Sequence, residues 1–334
     1  MELIRNLTEA YGPSGREEKV REIIELEIKD YCEGIKTDTL GNLIAYKPPS
    51  VRKGLAKKIM LCAHMDEIGL IIKHIDKQGF LRFASVGGVF PERILHHRVV
   101  FANGLLGVIG VETKPETPKP APLENMFIDI GAKDQLEAKK MVRIGDVATF
   151  FQIFKKMGNK IVAKAIDDRI GCFCLIEVMK RIKRHRNELY FVFSTQEELG
   201  LRGARTGAYS INPHYALAVD VTATGDTPES PPMAVALGKG VAIKIKDSGF
   251  FTSPLIKEIL ISSAQKLKLP FQLEILERGT TDAAVIQLIR EGVQSGVLSI
   301  PTRYVHSPNE VCDMEDVQNV IKLLLYSLEQ GFNE

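Results

Sequence analysis

Hydrophobic positions change their period twice along the chain, and the changes divide it. Gly12-Pro13 reads as a turn, and Ser14 followed by Glu17 reads as a capping box. Val20, Ile23, Ile24 and Ile28 then recur at helical spacing. Asn42–Tyr46 reads as extended. Lys58–His64 (KIMLCAH) is a short apolar run closing on a histidine, the pattern of a buried strand whose end delivers side chains to a site. From about Gly69 to Lys160 short β-like runs alternate with glycine and proline: LIIKHI, LRFASV, RVVFANG, LGVIGV, MFIDIGA, VATFFQI. One short helix, Gln135–Val142, interrupts them, and the four prolines of Lys114–Pro122 read as a tether or flap. After Lys160 strands and helices alternate. Asp168–Ile182 reads as a helix, and Glu188–Thr195 and Tyr215–Thr222 as strands. Ser253-Pro254 opens a helix with proline at its first position, Gly296–Ile300 is a further strand, and Asp313 caps the last helix. These elements predict an α/β fold, a sheet flanked by helices, with a small β-barrel-like domain inserted into it. The expected division is a catalytic domain of residues 1–69 and 161–334 and an inserted β-rich domain of residues 70–160.

A chain of 334 residues suits two domains or one with an insertion. With 44 Lys+Arg against 42 Asp+Glu the net charge is +2, which gives no reason to expect nucleic acid or an anionic membrane as partner. The longest charge-poor apolar stretch, Val99–Val111, falls short of the ~20 residues of a membrane helix. The opening MELIRNLTEA lacks the apolar core of a signal peptide. Five cysteines without a C-x-x-C pair read as reduced thiols rather than a disulfide framework or zinc ribbon, so a cytoplasmic protein is expected.

Chemistry gathers in five segments: AHMDEIG (Ala63–Gly69), AIDDRIG (Ala165–Gly171), STQEELGLRGA (Ser194–Ala204), AVDVT (Ala218–Thr222) and RYVHSPNE (Arg303–Glu310). Four of them follow or end a strand-like run, and in open α/β sheets ligands gather beyond the carboxyl ends of strands. Histidines and carboxylates converging there suit two divalent ions. A mixed nitrogen and oxygen donor set favours zinc, cobalt or manganese over calcium. Ions roughly 3.5–4 Å apart serve hydrolysis, and a carboxylate that binds neither can move the proton. Glu197 and Glu198 are adjacent, so on extended backbone they point opposite ways and can divide these roles. Each residue also has a plainer use. A lone histidine after a strand is usually just hydrogen-bonded, paired acids usually lie on a solvated face, and Asp167-Asp168 can cap the following helix. No H-E-x-x-H is present.

Taken together and in this order, the five segments closely resemble metallopeptidase family 42. This is the family of dinuclear-metal aminopeptidases that includes tetrahedral, glutamyl-aminopeptidase-like and FrvX-like members, some of them labelled endoglucanase. The resemblance runs from Gly12-Pro13-Ser14-Gly15 to His306–Glu310. It implies a sheet of the zinc-dependent exopeptidase type with an oligomerisation domain inserted after the first metal histidine. It also implies two divalent ions per subunit, zinc or cobalt first and manganese next. His64 and Asp220 would bind one ion, Glu198 and His306 the other, and Asp167 would bridge. Asp66 would orient His64, and Glu197 would be the general base. Short peptides with a free amino end would be the substrates, and a homo-oligomer, typically a twelve-subunit shell, the working form. Thr280 departs from the glycine usual in the Gly279–Asp282 motif, which leaves the backbone of that loop open. Two rival activities share part of the pattern. An N-acyl-amino-acid deacylase would use the same metals on a different substrate end. A glycoside hydrolase needs paired carboxylates but no metal histidines.

Overall fold

A computed structural model of the chain describes residues 1–51, 54–113 and 121–332. The expected tether or flap, Lys114–Pro122, lies outside the described residues except for its last two positions.

The framework is four parallel strands side by side, Glu188–Ser194, Lys58–His64, Tyr215–Thr222 and Gln294–Arg303. Helices cover both faces, which is why these strands read as nearly unbroken apolar runs. Along Lys58–His64, Ile59, Leu61 and Ala63 enter a core with Ile170 and Leu175 of helix Ile166–Arg181. The alternate residues Met60 and Cys62 enter a second core with Ala204, Ala208 and Ile286. Antiparallel strands extend the sheet to eleven among the described residues. Leu43–Lys47 and Gly34–Thr37 lie on one side, and Glu310–Asp313, Lys160–Ala163 and Lys155–Met157 on the other. Val241–Lys246 pairs with Gln294–Arg303 and also with Phe271–Ile275.

Between Lys58–His64 and the hairpin Lys155–Ala163 the chain closes a six-stranded barrel, from Gly69–Ile75 to Val147–Phe150. Its interior is a separate apolar cluster that includes Leu70, Ile72, Phe83, Val99, Ile109, Ile128 and Phe150. The Lys155–Met157 strand, which alternation alone places in the β-rich insertion, pairs instead into the edge of the large sheet. Among the described residues no helix is long and apolar enough to cross a membrane.

Several helix ends follow their sequence signals. Asp313 accepts the Glu315 N–H at 2.9 Å and Pro254 opens helix Pro254–Leu267, and Asp134, not singled out in the sequence, caps its helix by accepting the Glu137 N–H at 2.9 Å. The Ser14–Glu17 capping box does not form. The helix starts later, at Glu18, and Ser14 Oγ donates to Asp66 Oδ2 at 2.5 Å. The Glu17 carboxylate accepts the N–H groups of Gly15 and Gln196 at 2.7 and 3.1 Å. A buried anion nearby outcompetes the helix end for the serine.

Where barrel and sheet meet, Glu67 is buried. Its oxygens accept from Lys164 Nζ at 2.7 Å, from Arg169 Nη2 at 3.3 Å, from Thr149 Oγ1 in the barrel at 2.6 Å and from the Gly12 N–H at 3.2 Å. Removing a charge from a buried cluster strands its partners. Glu67→Gln is therefore expected to lower the unfolding free energy by about 3–5 kcal/mol in a chemical denaturation curve. A loss below about 1 kcal/mol, the range of a surface pair, would mean the cluster does not tie the two parts together.

Candidate metal centre

The carboxyl ends of the parallel strands share one edge. Lys58–His64 ends on His64, Glu197 and Glu198 follow Glu188–Ser194, Asp220 lies near the end of Tyr215–Thr222, and His306 follows Gln294–Arg303. Asp167 reaches the same place from the start of helix Ile166–Arg181. All six line one cavity of about 1260 Å³. The barrel contributes Gly88, Phe90 and Arg93 to the same cavity wall.

At the centre lies the Asp167 carboxylate. Its Oδ1 is 3.0 Å from His64 Nε2 and its Oδ2 is 3.3 Å from His306 Nε2. Glu198 Oε1 stands 3.0 Å from His306 Nε2, and Asp220 Oδ1 stands 4.0 Å from His64 Nε2. Glu197 Oε2 is 3.9 Å from His64 Nε2, and the residue lines the cavity. His64 Nδ1 is 3.1 Å from the Asp66 carbonyl oxygen and 3.5 Å from its carboxylate. A proton on Nδ1 therefore leaves the Nε2 lone pair directed into the site.

Potential donor atoms cluster twice, as His64 with Asp168 and Asp220, and as Asp167 with Glu198 and His306. Asp168, which the family register leaves out, thus lies within reach of the first cluster. Its oxygens are already engaged, however. Oδ2 accepts the His64 N–H at 3.2 Å and Oδ1 the Gly171 N–H at 3.1 Å. Asp66 does the same for the glutamates, Oδ1 accepting the Glu197 N–H at 3.0 Å and Oδ2 the Glu198 N–H at 3.2 Å.

Charge is lopsided. Asp66, Asp167, Asp168, Glu197, Glu198, Asp220, Asp282 and Glu310 crowd around two imidazoles. With the protein's own charges alone, burial pushes Glu197 well up, and Asp220, Asp282 and Glu198 add to it while His64 opposes. Burial likewise raises Asp220 and Asp168. Burial alone would lower the two histidines, but contacts with Asp167 and neighbouring acids hold His64 well above its usual value and bring His306 up to about 11. Asp167 moves the other way, because its hydrogen bonds to His306 and His64 outweigh its burial. Burial and the Asp66 charge bring Glu17 up to about 7. Buried anions in such excess are costly without cations. Two imidazole nitrogens among these oxygens fit a pair of borderline divalent ions, so the residues present suit the expected metals.

The loop at Gly279–Asp282 also closes on this region. Gly279 takes the left-handed conformation at φ +87°, and the Thr280 hydroxyl donates to Asp247 Oδ1 at 3.0 Å. Asp282 Oδ2 accepts from Ser194 Oγ at 2.5 Å, bracing the strand that leads to Glu197.

Comparison with known proteins places this site in context. Residues 41–323 match the family described as M42 glutamyl aminopeptidase. A protein of Acetivibrio thermocellus, provisionally assigned as an aminopeptidase, is 49% identical over 98% of each chain. The aminopeptidase APDkam598 of the archaeon Desulfurococcus kamchatkensis superimposes with a TM-score of 0.94 at 41% identity, over 99% of this chain and 94% of that one. The TET1 peptidase of Pyrococcus horikoshii, described as assembling into a tetrahedron or a large octahedral shell, superimposes with a TM-score of 0.87 at 33% identity over 98% of each chain.

Sequence reading missed Asp168, Glu310, Ser14 and Glu17 as parts of this assembly. Ser14, Glu17 and Asp168 had read only as helix-capping residues, and Glu310 only as the last residue of the RYVHSPNE segment. Gly88 was missed too. A Cβ there would lie 2.5 Å from His306 Nδ1. Gly88→Ala must turn the imidazole or move the barrel, and displacement of about 1 Å at a reacting centre costs on the order of 100-fold. The variant should keep its circular dichroism while activity and metal content fall. Activity within a few-fold of wild type would show that the ring has room.

Proposed function

As a member of the M42 glutamyl aminopeptidase family, this chain is a metal-dependent aminopeptidase, and we propose that it works through two divalent ions held by its own strand-end residues. His64 and Asp220 would hold one ion, Glu198 and His306 the other, and Asp167 would touch both. The observation that carries this reading is the Asp167 carboxylate, whose two oxygens face the Nε2 atoms of two histidines, one ending a strand and the other just beyond another. Zinc or cobalt suits the donors best, with manganese next. When bound, such a pair acidifies a water and polarises the carbonyl of the first peptide bond.

The chain's own residues supply the rest. Glu197 lines the cavity beside this centre, and its backbone is fixed by Asp66. A carboxylate with raised proton affinity accepts a proton from water and returns it to the departing amine, which leaves poorly as an anion. The excess of acids at the cavity floor attracts a free α-ammonium end, so unblocked peptides are the substrates favoured over acylated ones. The β barrel would carry contacts between copies in a homo-oligomeric shell like that of the TET1 peptidase.

Four measurements check this. Chelation should abolish hydrolysis of aminoacyl substrates, and zinc or cobalt should restore it; activity that survives with no detectable metal would exclude the mechanism. Glu197→Gln should keep both ions and the fold while turnover falls ~100- to 10,000-fold. Turnover within a few-fold of wild type would remove Glu197 from the base role. Light scattering at micromolar concentration should give a mass well above the 37.1 kDa monomer, and a strictly monomeric species would contradict the shell. Product analysis on a free peptide and its N-acetyl form separates aminopeptidase from deacylase.

A further inference from the structure

We infer that Glu310 is a positioning residue for the His306 half of the metal centre, holding the backbones of two ligand-bearing segments with one carboxylate. The inference rests on the reading of Asp167 and His306 as ligands.

Glu310 opens strand Glu310–Asp313 and is buried. Its Oε1 accepts the His306 N–H at 2.8 Å and its Oε2 accepts the Asp167 N–H at 3.0 Å. The two donors come from distant parts of the chain, one at the start of helix Ile166–Arg181 and one beyond strand Gln294–Arg303. A carboxylate is rigid and planar, so bonding both N–H groups fixes the spacing between the two peptides. Their side chains then meet at 3.3 Å, Asp167 Oδ2 to His306 Nε2.

His306 needs this support. Its φ is +60°, in the left-handed region that a residue with a Cβ rarely adopts. Such a conformation persists only where its surroundings over-determine it. Gly88 bounds one side of the imidazole, and Glu310 grips the N–H on the backbone side. Without that acceptor the peptide can relax to negative φ, which turns Nε2 away from Asp167 and Glu198.

The choice of a carboxylate also needs explaining. A second anion buried beside Asp167 is unfavourable, and a neutral side chain of equal size would avoid the repulsion. Glutamine, however, offers one oxygen and sets its NH₂ against the other N–H donor. Only an acid satisfies both peptides. Neither Glu310 oxygen belongs to the donor clusters at the centre, so the residue acts through His306 and Asp167 rather than as a ligand.

The test is calorimetric titration of metal-free, full-length protein with zinc. Glu310→Gln should weaken the binding event that depends on His306 by about 10- to 100-fold, the usual effect of removing a group that orients a ligand, and weaken the other, which shares only Asp167, by clearly less. The same change on a His306→Ala background, where only Asp167 remains to be positioned, should cost clearly less than on a His64→Ala background, where it acts on both His306 and Asp167. Excess zinc should restore turnover, and the metal-free variant should keep the wild-type circular dichroism and denaturation midpoint, which a general loss of stability would not allow. Should Glu310→Gln not fold, Glu310→Asp, which keeps the charge with a shorter reach, is put through the same cycle. Two wild-type affinities in the glutamate variant, or equal weakening on both backgrounds, would overturn the positioning role. If His306→Ala itself loses no metal, the reading of the metal centre falls and the positioning role with it.

Discussion

The structure is organised around a concentration of negative charge that its own side chains leave uncompensated. Eight carboxylates gather at one edge of the sheet, where Lys164 and Arg169 are both engaged with Glu67. In a partly desolvated site such charges repel strongly. Divalent cations bound here would remove most of that penalty, and metal binding and native geometry would then depend on each other. The protein also spreads the charge by giving the acids different tasks. Asp167, Glu198 and Asp220 present oxygens to the centre. Asp66, Asp168 and Glu310 turn theirs to backbone N–H groups, where charge-assisted hydrogen bonds offset part of the desolvation.

That division of labour explains the rigidity of the site. Each segment carrying a histidine or glutamate toward the cavity is gripped at its peptide, His64 by Asp168, Glu197 and Glu198 by Asp66, and Asp167 and His306 by Glu310. A ligand needs only its side-chain angles set once its backbone is fixed. Strand pairing alone does not reach all of them, because Glu197, Glu198 and His306 lie beyond the last residues of their strands. Buried acceptors continue the constraint for a few residues beyond the last strand hydrogen bond.

Much of this was legible in the sequence, and the legible parts share a cause. KIMLCAH, ELYFVFST and YALAVDVT are visible because a parallel strand buried on both faces must be apolar throughout, and the residue ending it stands out. Pro254 and Asp313 are visible because helix caps are local. The barrel is visible because its runs are short and divided by glycine, although the same texture wrongly takes in the Lys155–Met157 strand, whose partner is remote. Ser14 misleads because a serine three residues before a glutamate satisfies the local rule, while its actual partner, Asp66, lies 52 residues away. Glu310 gives no periodic or spacing signal at all. Its role depends on which peptides the fold brings to it, and only the assembled strand order determines that.

The placement of the barrel follows from the same logic. Insertion directly after His64 and Asp66 interrupts the chain at the edge of the metal centre, which is an unstable place to hang a separate core. Glu67, the residue after Asp66, meets that difficulty by joining Lys164 and Arg169 of the large domain to Thr149 of the barrel. The barrel can then be used as part of the cavity wall. Gly88 lies so close to the His306 ring that a methyl group there would collide with it, and Phe90 lies 6.2 Å from that ring between centroids. Arg93, stacked 4.4 Å from the Phe90 ring, places a positive charge on a cavity whose floor is acidic. A rigid joint is what allows such contacts to be specified. Were the barrel free to move by even one ångström, the glycine at position 88 would have no fixed neighbour to make room for, and the wall it forms over His306 would be lost.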